Sequence, residues 1–228
     1  KIEDAIASID AATFVANCYD PAFNPNFATD SFFCGFFRRD PSTSEIIDAS
    51  ELLENLAEFE TAGVDIQVDY TADVGPGTLG LAWIATRLTK WDRTAFEGAP
   101  VDDLAGTIGN RSIGISVPRP DWRWTFNSDY VIGNWGLNAR WRYIDSMVDN
   151  NVANFETDAI SYLDVGLTYD FRDIFGGSLE GLRARVQATN VTDQDPELIP
   201  ARVQANTDPS VYDTLGRRYF VSLTYDFN

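Results

Sequence analysis

Leu163-Asp164-Val165-Gly166-Leu167-Thr168-Tyr169-Asp170-Phe171, and after a glycine-containing break Leu182-Arg183-Ala184-Arg185-Val186-Gln187-Ala188-Thr189, decide how this chain folds. Apolar residues recur at every second position in both runs. Side chains of a strand point alternately to its two faces, so a period of two marks a strand with one apolar and one polar face. Leu163, Val165, Leu167, Tyr169 and Phe171 share one face, and Asp164, Gly166, Thr168 and Asp170 share the other. A turn near Gly176-Gly177 joins this run to the next, where Leu182, Ala184, Val186 and Ala188 oppose Arg183, Arg185, Gln187 and Thr189.

The pattern extends in both directions. Upstream, Trp135, Leu137, Ala139, Trp141 and Tyr143 alternate with Asn138, Arg140 and Arg142. Before them Trp122, Trp124 and Phe126 alternate with Arg123, Thr125 and Asn127, and Gly133-Asn134 reads as the hairpin turn between the two runs. Leu79, Leu81 and Trp83 share a face, in a strand that loses clarity beyond Thr86. Val64, Ile66, Val68 and Tyr70 alternate with Asp65, Gln67, Asp69 and Thr71, and a turn lies within Asp73-Val74-Gly75-Pro76-Gly77. Downstream, Tyr219, Val221, Leu223, Tyr225 and Phe227 alternate with Phe220, Ser222, Thr224 and Asp226.

The connections alternate short and long, with long ones at about 91–120, 145–160 and 193–215. Short turns on one side and long loops on the other are the pattern of an outer-membrane barrel. A secreted soluble β-sandwich is the competing reading, but it has no reason to sort its loops this way. The last strand then descends to the periplasmic side, and residues 7–60 form a long extracellular loop, with strands and loops over 61–228. Within that loop a short helix is expected over Ala11–Cys18, capped by Ser8 or Asp10. A membrane strand takes about nine to eleven residues, so Lys1–Ile6 reads as the upper end of a strand that began earlier. The total is about eight strands, the first incomplete.

Composition fits. Mean hydropathy is -0.20, and no run of about eighteen apolar residues exists for a transmembrane helix. Barrel strands escape that test because only alternate residues meet lipid. The 6 Trp, 9 Tyr and 15 Phe suit aromatic girdles at two membrane interfaces. A net charge of -18 argues against nucleic acid. With 0 His, the chain offers no His–metal site, Ser-His-Asp triad or His haem ligand. Asp65 and Asp69 share a strand face without any pocket signature, so no catalytic residue and no cofactor is expected. Asp193 to Glu197, Asp208 and Asp213 offer oxygen ligands for Ca²⁺ but lack EF-hand spacing, and solvated loop carboxylates are the favoured reading. Asn110-Arg111-Ser112 and Asn190-Val191-Thr192 match the glycosylation pattern incidentally. The first residue is Lys1 and no signal peptide is visible, so a processed chain or a fragment is expected.

The polar faces carry charge in rows: Arg140 and Arg142, then Asp164 and Asp170, then Arg183 and Arg185. Cross-strand ion pairs on a lumen wall are the favoured reading. A path for a charged substrate, or a seat for a plug, is the sharper one. Placement toward lipid is disfavoured, because a mid-membrane Arg costs about 2–4 kcal/mol.

Asn190-Val191-Thr192-Asp193-Gln194-Asp195-Pro196, then Asn206-Thr207-Asp208-Pro209-Ser210-Val211-Tyr212-Asp213 and Leu215-Gly216-Arg217-Arg218-Tyr219-Phe220-Val221, resemble the closing segments of TonB-dependent receptors. Cys18-Tyr19-Asp20, Phe33-Cys34 and Arg39-Asp40-Pro41 resemble an extracellular cystine loop of that family. Asn55-Leu56-Ala57 through Glu60-Thr61-Ala62-Gly63-Val64-Asp65 resembles the approach to its next strand. Matching segments span most of the chain. Ala205 stands where the family often has Gly, and Asn228 follows the terminal aromatic Phe227.

The resemblance implies an all-β fold: the C-terminal segment of a transmembrane antiparallel barrel of roughly 22 strands around an N-terminal plug that this sequence does not include. It implies uptake of a scarce nutrient such as an iron-siderophore, haem, cobalamin or a carbohydrate. Implied partners are the remainder of the barrel and the plug, the TonB complex acting through that plug, the barrel-assembly machinery, membrane lipid and lipopolysaccharide. Val221, Leu223, Tyr225 and Phe227 would carry the assembly signal. In an exported protein Cys18 and Cys34 are expected to pair, against the alternative of two reduced thiols. Competing functions are a passive outer-membrane channel and a barrel that anchors a surface protein complex.

Overall fold

In the computed structural model the described residues are 1–9, 11–49, 53–110, 117–150, 152, 155–172, 181–200 and 206–226. Asp10, the turn at Gly176-Gly177 and Phe227 lie outside them. The elements in chain order are β1 (Ile2–Ser8), α1 (Ala11–Cys18), a 3-10 turn (Phe32–Phe36), β2 (Phe37–Arg39), β3 (Ile46–Ala49), β4 (Leu53–Val74) and β5 (Gly77–Thr94). They continue with β6 (Val101–Asp103), β7 (Trp122–Ile132), β8 (Trp135–Ile144), β9 (Met147–Val148), β10 (Glu156–Thr157), β11 (Ile160–Asp170), β12 (Leu182–Thr189) and β13 (Arg218–Tyr225). The chain is mainly β, and the strands named here pair antiparallel among the described residues.

The chain divides into two compact units, Lys1–Thr61 with Asp92–Asp103, and Ala62–Trp91 with Leu104–Asn228. In the first, β1 pairs the start of β4, from Ile2 opposite Phe59 to Ser8 opposite Leu53. The strand β4 therefore begins well before residue 61, where strict alternation starts. Helix α1 occupies the span expected of it. Its buried Phe14 stacks on Phe36 at 4.0 Å and tilts against Phe33, which meets Phe96 edge-on at 5.1 Å. Burying each such aromatic contributes about 1.5–3 kcal/mol. This small core explains how a polar, irregular segment keeps a fold.

In the second unit the strands run in the order β4-β5-β7-β8-β11-β12-β13. Two joining turns have two residues each, Gly75-Pro76 and Gly133-Asn134. Both open on a glycine in the left-handed region, Gly75 at φ 59° and Gly133 at φ 55°. Glycine at the first central position suits the hairpin turn whose twist matches its strands.

The register fixes the two faces. Trp83, Phe126, Trp141 and Leu163 stand in one row across β5, β7, β8 and β11. Leu137, Leu167, Val186 and Val221 form another across β8, β11, β12 and β13. Directly opposed residues of antiparallel strands share a face. The apolar positions read from each strand alone therefore merge into one continuous apolar face. That face is bare: Trp141 is 48% exposed, Val186 51% and Val221 75%.

At the long-connection end the chain does not stay extended. Ile108, Met147, Ile160, Tyr162, Ile199 and Tyr212 form a buried core, drawn from three connections and the start of β11. The short hairpin of β9 and β10 holds Met147 there, and the Met147 amide donates to Thr157 Oγ1 at 3.0 Å. Alternation gives no hint of these elements, because none is long enough to show a period.

Candidate functional site

The polar face is built from the alternates of the apolar rows. Asn127, Asp129, Asn138, Arg140, Thr168 and Arg185 border a concavity of about 500 Å³. It is hollow because Gly136 and Gly166 bring no side chain to that face. A Cβ on Gly166 would press into the amide of Asn138, its directly opposed partner.

The charge rows meet across strands, though not always directly opposite. Arg142 Nη2 reaches Asp164 at 3.3 Å on the diagonal, while Tyr162 is the residue facing Arg142. Arg183 reaches its direct partner Asp170 at 3.7 Å, and Arg172 binds the same carboxylate at 2.7 Å. Arg140 instead donates through Nε to Asn127 Oδ1 at 3.1 Å. Among the described residues, neither Arg140 nor Arg185 has a carboxylate within ion-pair distance. The rows thus split into paired charges, Arg142, Asp164, Asp170 and Arg183, and two cations open on the concavity, Arg140 and Arg185.

Above the concavity the last long connection is fastened to the wall. Asp164 accepts from the backbone N–H of Asn190 at 2.9 Å as well as from Arg142. Asp213 receives Arg218 Nη2 at 2.7 Å and Arg142 Nη2 at 3.8 Å, and its own N–H donates to Tyr162 Oη at 3.2 Å. The motif Asn190-Val191-Thr192-Asp193 forms a tight loop around this point. Asn190 Oδ1 accepts from the Gln194 amide at 2.9 Å, and Asp193 accepts the Arg217 amide at 3.0 Å and its guanidinium at 3.2 Å. Asn190 and Asp193 have φ of 50° and 55°. Short polar side chains tolerate that left-handed region, and these two also hydrogen-bond locally. These motif residues hold the loop in shape.

Nearby, burial pushes the Tyr212 phenol up to about 12. Arg119 lies 3.6 Å over the ring of Trp91, and burial lowers its affinity for a proton.

In the first unit Cys18 and Cys34 form a disulfide across 16 positions, with Cα atoms 5.0 Å apart. Buried Asn24 braces it, donating to Cys18 O at 2.8 Å and Ala28 O at 3.1 Å. In the β2–β3 connection Asp40 accepts from the Ser42 hydroxyl and the amides of Ser42 and Thr43, which hold its carboxyl below the usual range. Val221, Leu223 and Tyr225 lie on the apolar face of β13. Among the described residues no group of three or more His, Cys, Asp or Glu is placed to hold a metal.

The apolar face carries aromatic groups at both ends of its strands. Trp135, Tyr169 and Phe171 touch near the short turns, at 4.5 Å and 4.9 Å between rings. Trp124 stacks on Tyr143 at 5.3 Å and meets Trp141 edge-on toward the long connections. Trp135 and Tyr143 are eight residue steps apart on β8, which spans about 27 Å along a strand and about 21 Å after a tilt of about 40°. Between them lie Leu137, Ala139, Val165, Leu167 and Val186. An apolar band of about 25 Å flanked by aromatic girdles is what a bilayer asks of a barrel wall.

The sequence model of the family described as "TonB dependent receptor-like, beta-barrel" matches residues 4–191. No curated protein matches the chain.

Proposed function

Because the chain belongs to the TonB-dependent receptor-like β-barrel family, whose members are outer-membrane transport barrels, we propose that it forms part of the wall of an energised importer. The observation that carries this reading is the two-faced sheet: a bare apolar band between aromatic rows on one side, and a hollow polar wall on the other. The apolar face meets lipid. The polar face lines the lumen, and Arg140 and Arg185, which have no carboxylate partner among the described residues, present cations to whatever passes or is seated there. The long connections, residues 7–60 included, lie outside the cell. The family is one of transporters and receptors, and the wall acts by binding and guiding cargo.

The cargo is a scarce nutrient of the siderophore, haem, cobalamin or carbohydrate class. The partners are the remaining barrel strands, a plug, the TonB complex, the barrel-assembly machinery reading Val221, Leu223, Tyr225 and Phe227, and outer-membrane lipid including lipopolysaccharide.

Uptake measured with and without the energising complex tests this. Accumulation of the cargo is expected to stop when that complex is deleted. Steady conductance of the protein in a planar bilayer, with uptake unaffected by the deletion, would instead identify a passive channel.

A further inference from the structure

Asp164 belongs to two structures at once. It borders the polar concavity, and it is also the carboxylate that ties down the last long connection. The Asn190 N–H donates to it at 2.9 Å, and Arg142 Nη2 reaches it at 3.3 Å. The same Nη2 lies 3.8 Å from Asp213, which is part of that connection and holds Arg218 at 2.7 Å. Arg142 thus makes both of its ion pairs, one to the wall and one to the connection, through a single nitrogen. Its Nε is buried without a hydrogen-bond partner among the described residues.

The concavity itself has the chemistry of an anion site. Its floor is Gly166, flanked along β11 by Asp164 and Thr168 and faced across the sheet by Asn138 and Gln187. Arg140 directly opposes Asp164 and Arg185 directly opposes Thr168, so the two cations stand at opposite corners of the bare glycine. Asp164 is engaged by Arg142, and Asp129 at the rim offsets one cation, which leaves one positive charge in surplus. A guanidinium takes a carboxylate through its paired donors. The amides and the Thr168 hydroxyl between the cations exchange hydrogen bonds with hydroxyl groups. About 500 Å³ is the size of a small-molecule site. The fit is to a singly charged, hydroxylated carboxylate of the sugar-acid kind.

An anion held by Arg140 stands beside Asp164 and one same-face step, about 7 Å, from Arg142. It repels the carboxylate and attracts the guanidinium. Both effects draw Arg142 away from Asp164 and Asp213. We propose that the concavity binds a hydroxylated carboxylate, and that its occupancy loosens the last long connection through Arg142 and Asp164. The coupling is reciprocal, so a loosened connection strengthens the binding. The inference rests on the reading of the polar face as a cargo-binding wall.

The test uses the assembled protein in detergent, with glucuronate as the probe and glucose as its neutral counterpart. Binding is measured by titration calorimetry, and hydrogen exchange is followed at the Asn190 and Val191 amides. Glucose is expected to bind about tenfold more weakly than glucuronate, the product of two exposed ion pairs. Arg140→Gln and Arg185→Gln should each weaken glucuronate about threefold. Saturating glucuronate should speed exchange at both amides about threefold, and glucose should leave it unchanged. Asp164→Asn, which frees Arg142 and removes a like charge, should tighten glucuronate about threefold. Where that variant fails to fold, Asp213→Asn frees Arg142 from the side of the connection and carries the same expectation. Equal binding of the two sugars would overturn the site. Exchange indifferent to glucuronate, or binding unchanged or weakened when Arg142 is freed, would overturn the coupling. None of these measurements involves transport, so uptake that survives loss of the energising complex overturns the importer reading separately.

Discussion

Asp164 is the carboxylate on which the last long connection depends. It is buried, at 8% side-chain exposure, and holds Arg142 Nη2 at 3.3 Å and the Asn190 N–H at 2.9 Å. Asp164→Ala removes both bonds. The buried Asn190 amide is then left without an acceptor, at a cost of about 1–3 kcal/mol. Losing the charge-assisted bond costs about 1.5–3 kcal/mol. Breaking a buried ion pair outright costs about 3–5 kcal/mol, but Arg142 keeps Asp213 at 3.8 Å, so the penalty falls short of the full range. The net expectation is a loss of about 3 kcal/mol in the anchoring of residues 190–200. Asp164→Asn keeps an oxygen for the Asn190 amide and gives up only the charge, for about 1 kcal/mol. Hydrogen exchange of the Asn190 and Val191 amides reads the difference. Opening should rise by about a hundredfold in the Ala variant and about fivefold in the Asn variant. Equal exchange in the two variants, or unchanged protection of Asn190 in the Ala variant, would refute the assignment of this loop to Asp164.

The Cys18–Cys34 bond closes a short loop, so Cys18→Ser with Cys34→Ser should cost the first unit about 3 kcal/mol. Limited proteolysis within residues 19–33 reads that loss, and non-reducing peptide mapping that finds both thiols free would remove its basis. Gly77→Ala should destabilise by about 1–3 kcal/mol, because its Cβ would strike the fixed carbonyl of Val131 and the ring of Tyr130. Gly166→Ala should cost less, since the obstacle is the swinging amide of Asn138. Thermal shifts of the two variants give the order. Tyr212 supplies a pH dependence. Its folded value of about 12 lies above the unfolded phenol's, so the native state holds the proton longer. The associated stability is complete below about pH 10 and is lost as pH rises toward 12. Tyr212→Phe should flatten that loss in denaturant titrations across the window.

The sheet was legible because a strand exposed to different media on its two faces writes its structure into every second residue. Trp135 to Tyr143 and Leu163 to Tyr169 could be assigned to a face before any partner was known, and the register agrees with each assignment. Helix α1 was legible as a short apolar run after cap-forming residues. Strand ends were harder. Beyond Thr86 and before Thr61 the apolar residues no longer keep to alternate positions, so the pattern fades although β5 continues to Thr94 and β4 begins at Leu53. The charge rows were visible, but their pairing depends on twist and stagger. For that reason Arg142 met Asp164 diagonally, and Arg140 turned to Asn127. The loop core was not legible. Ile108, Met147, Ile199 and Tyr212 are isolated apolar residues in polar stretches, and nothing in their spacing announces that they meet.

That shared core bears on how such a protein can be re-engineered or diversified. Ile108, Met147 and Ile199 come from three different connections, yet each is packed against the others' neighbours in one cluster. The long-connection ends of these strands are therefore not interchangeable cassettes. A graft of one connection from a relative would import a packing mismatch with the other two. Recombination that preserves folding must move the three together, or exchange only the tips that lie outside the cluster.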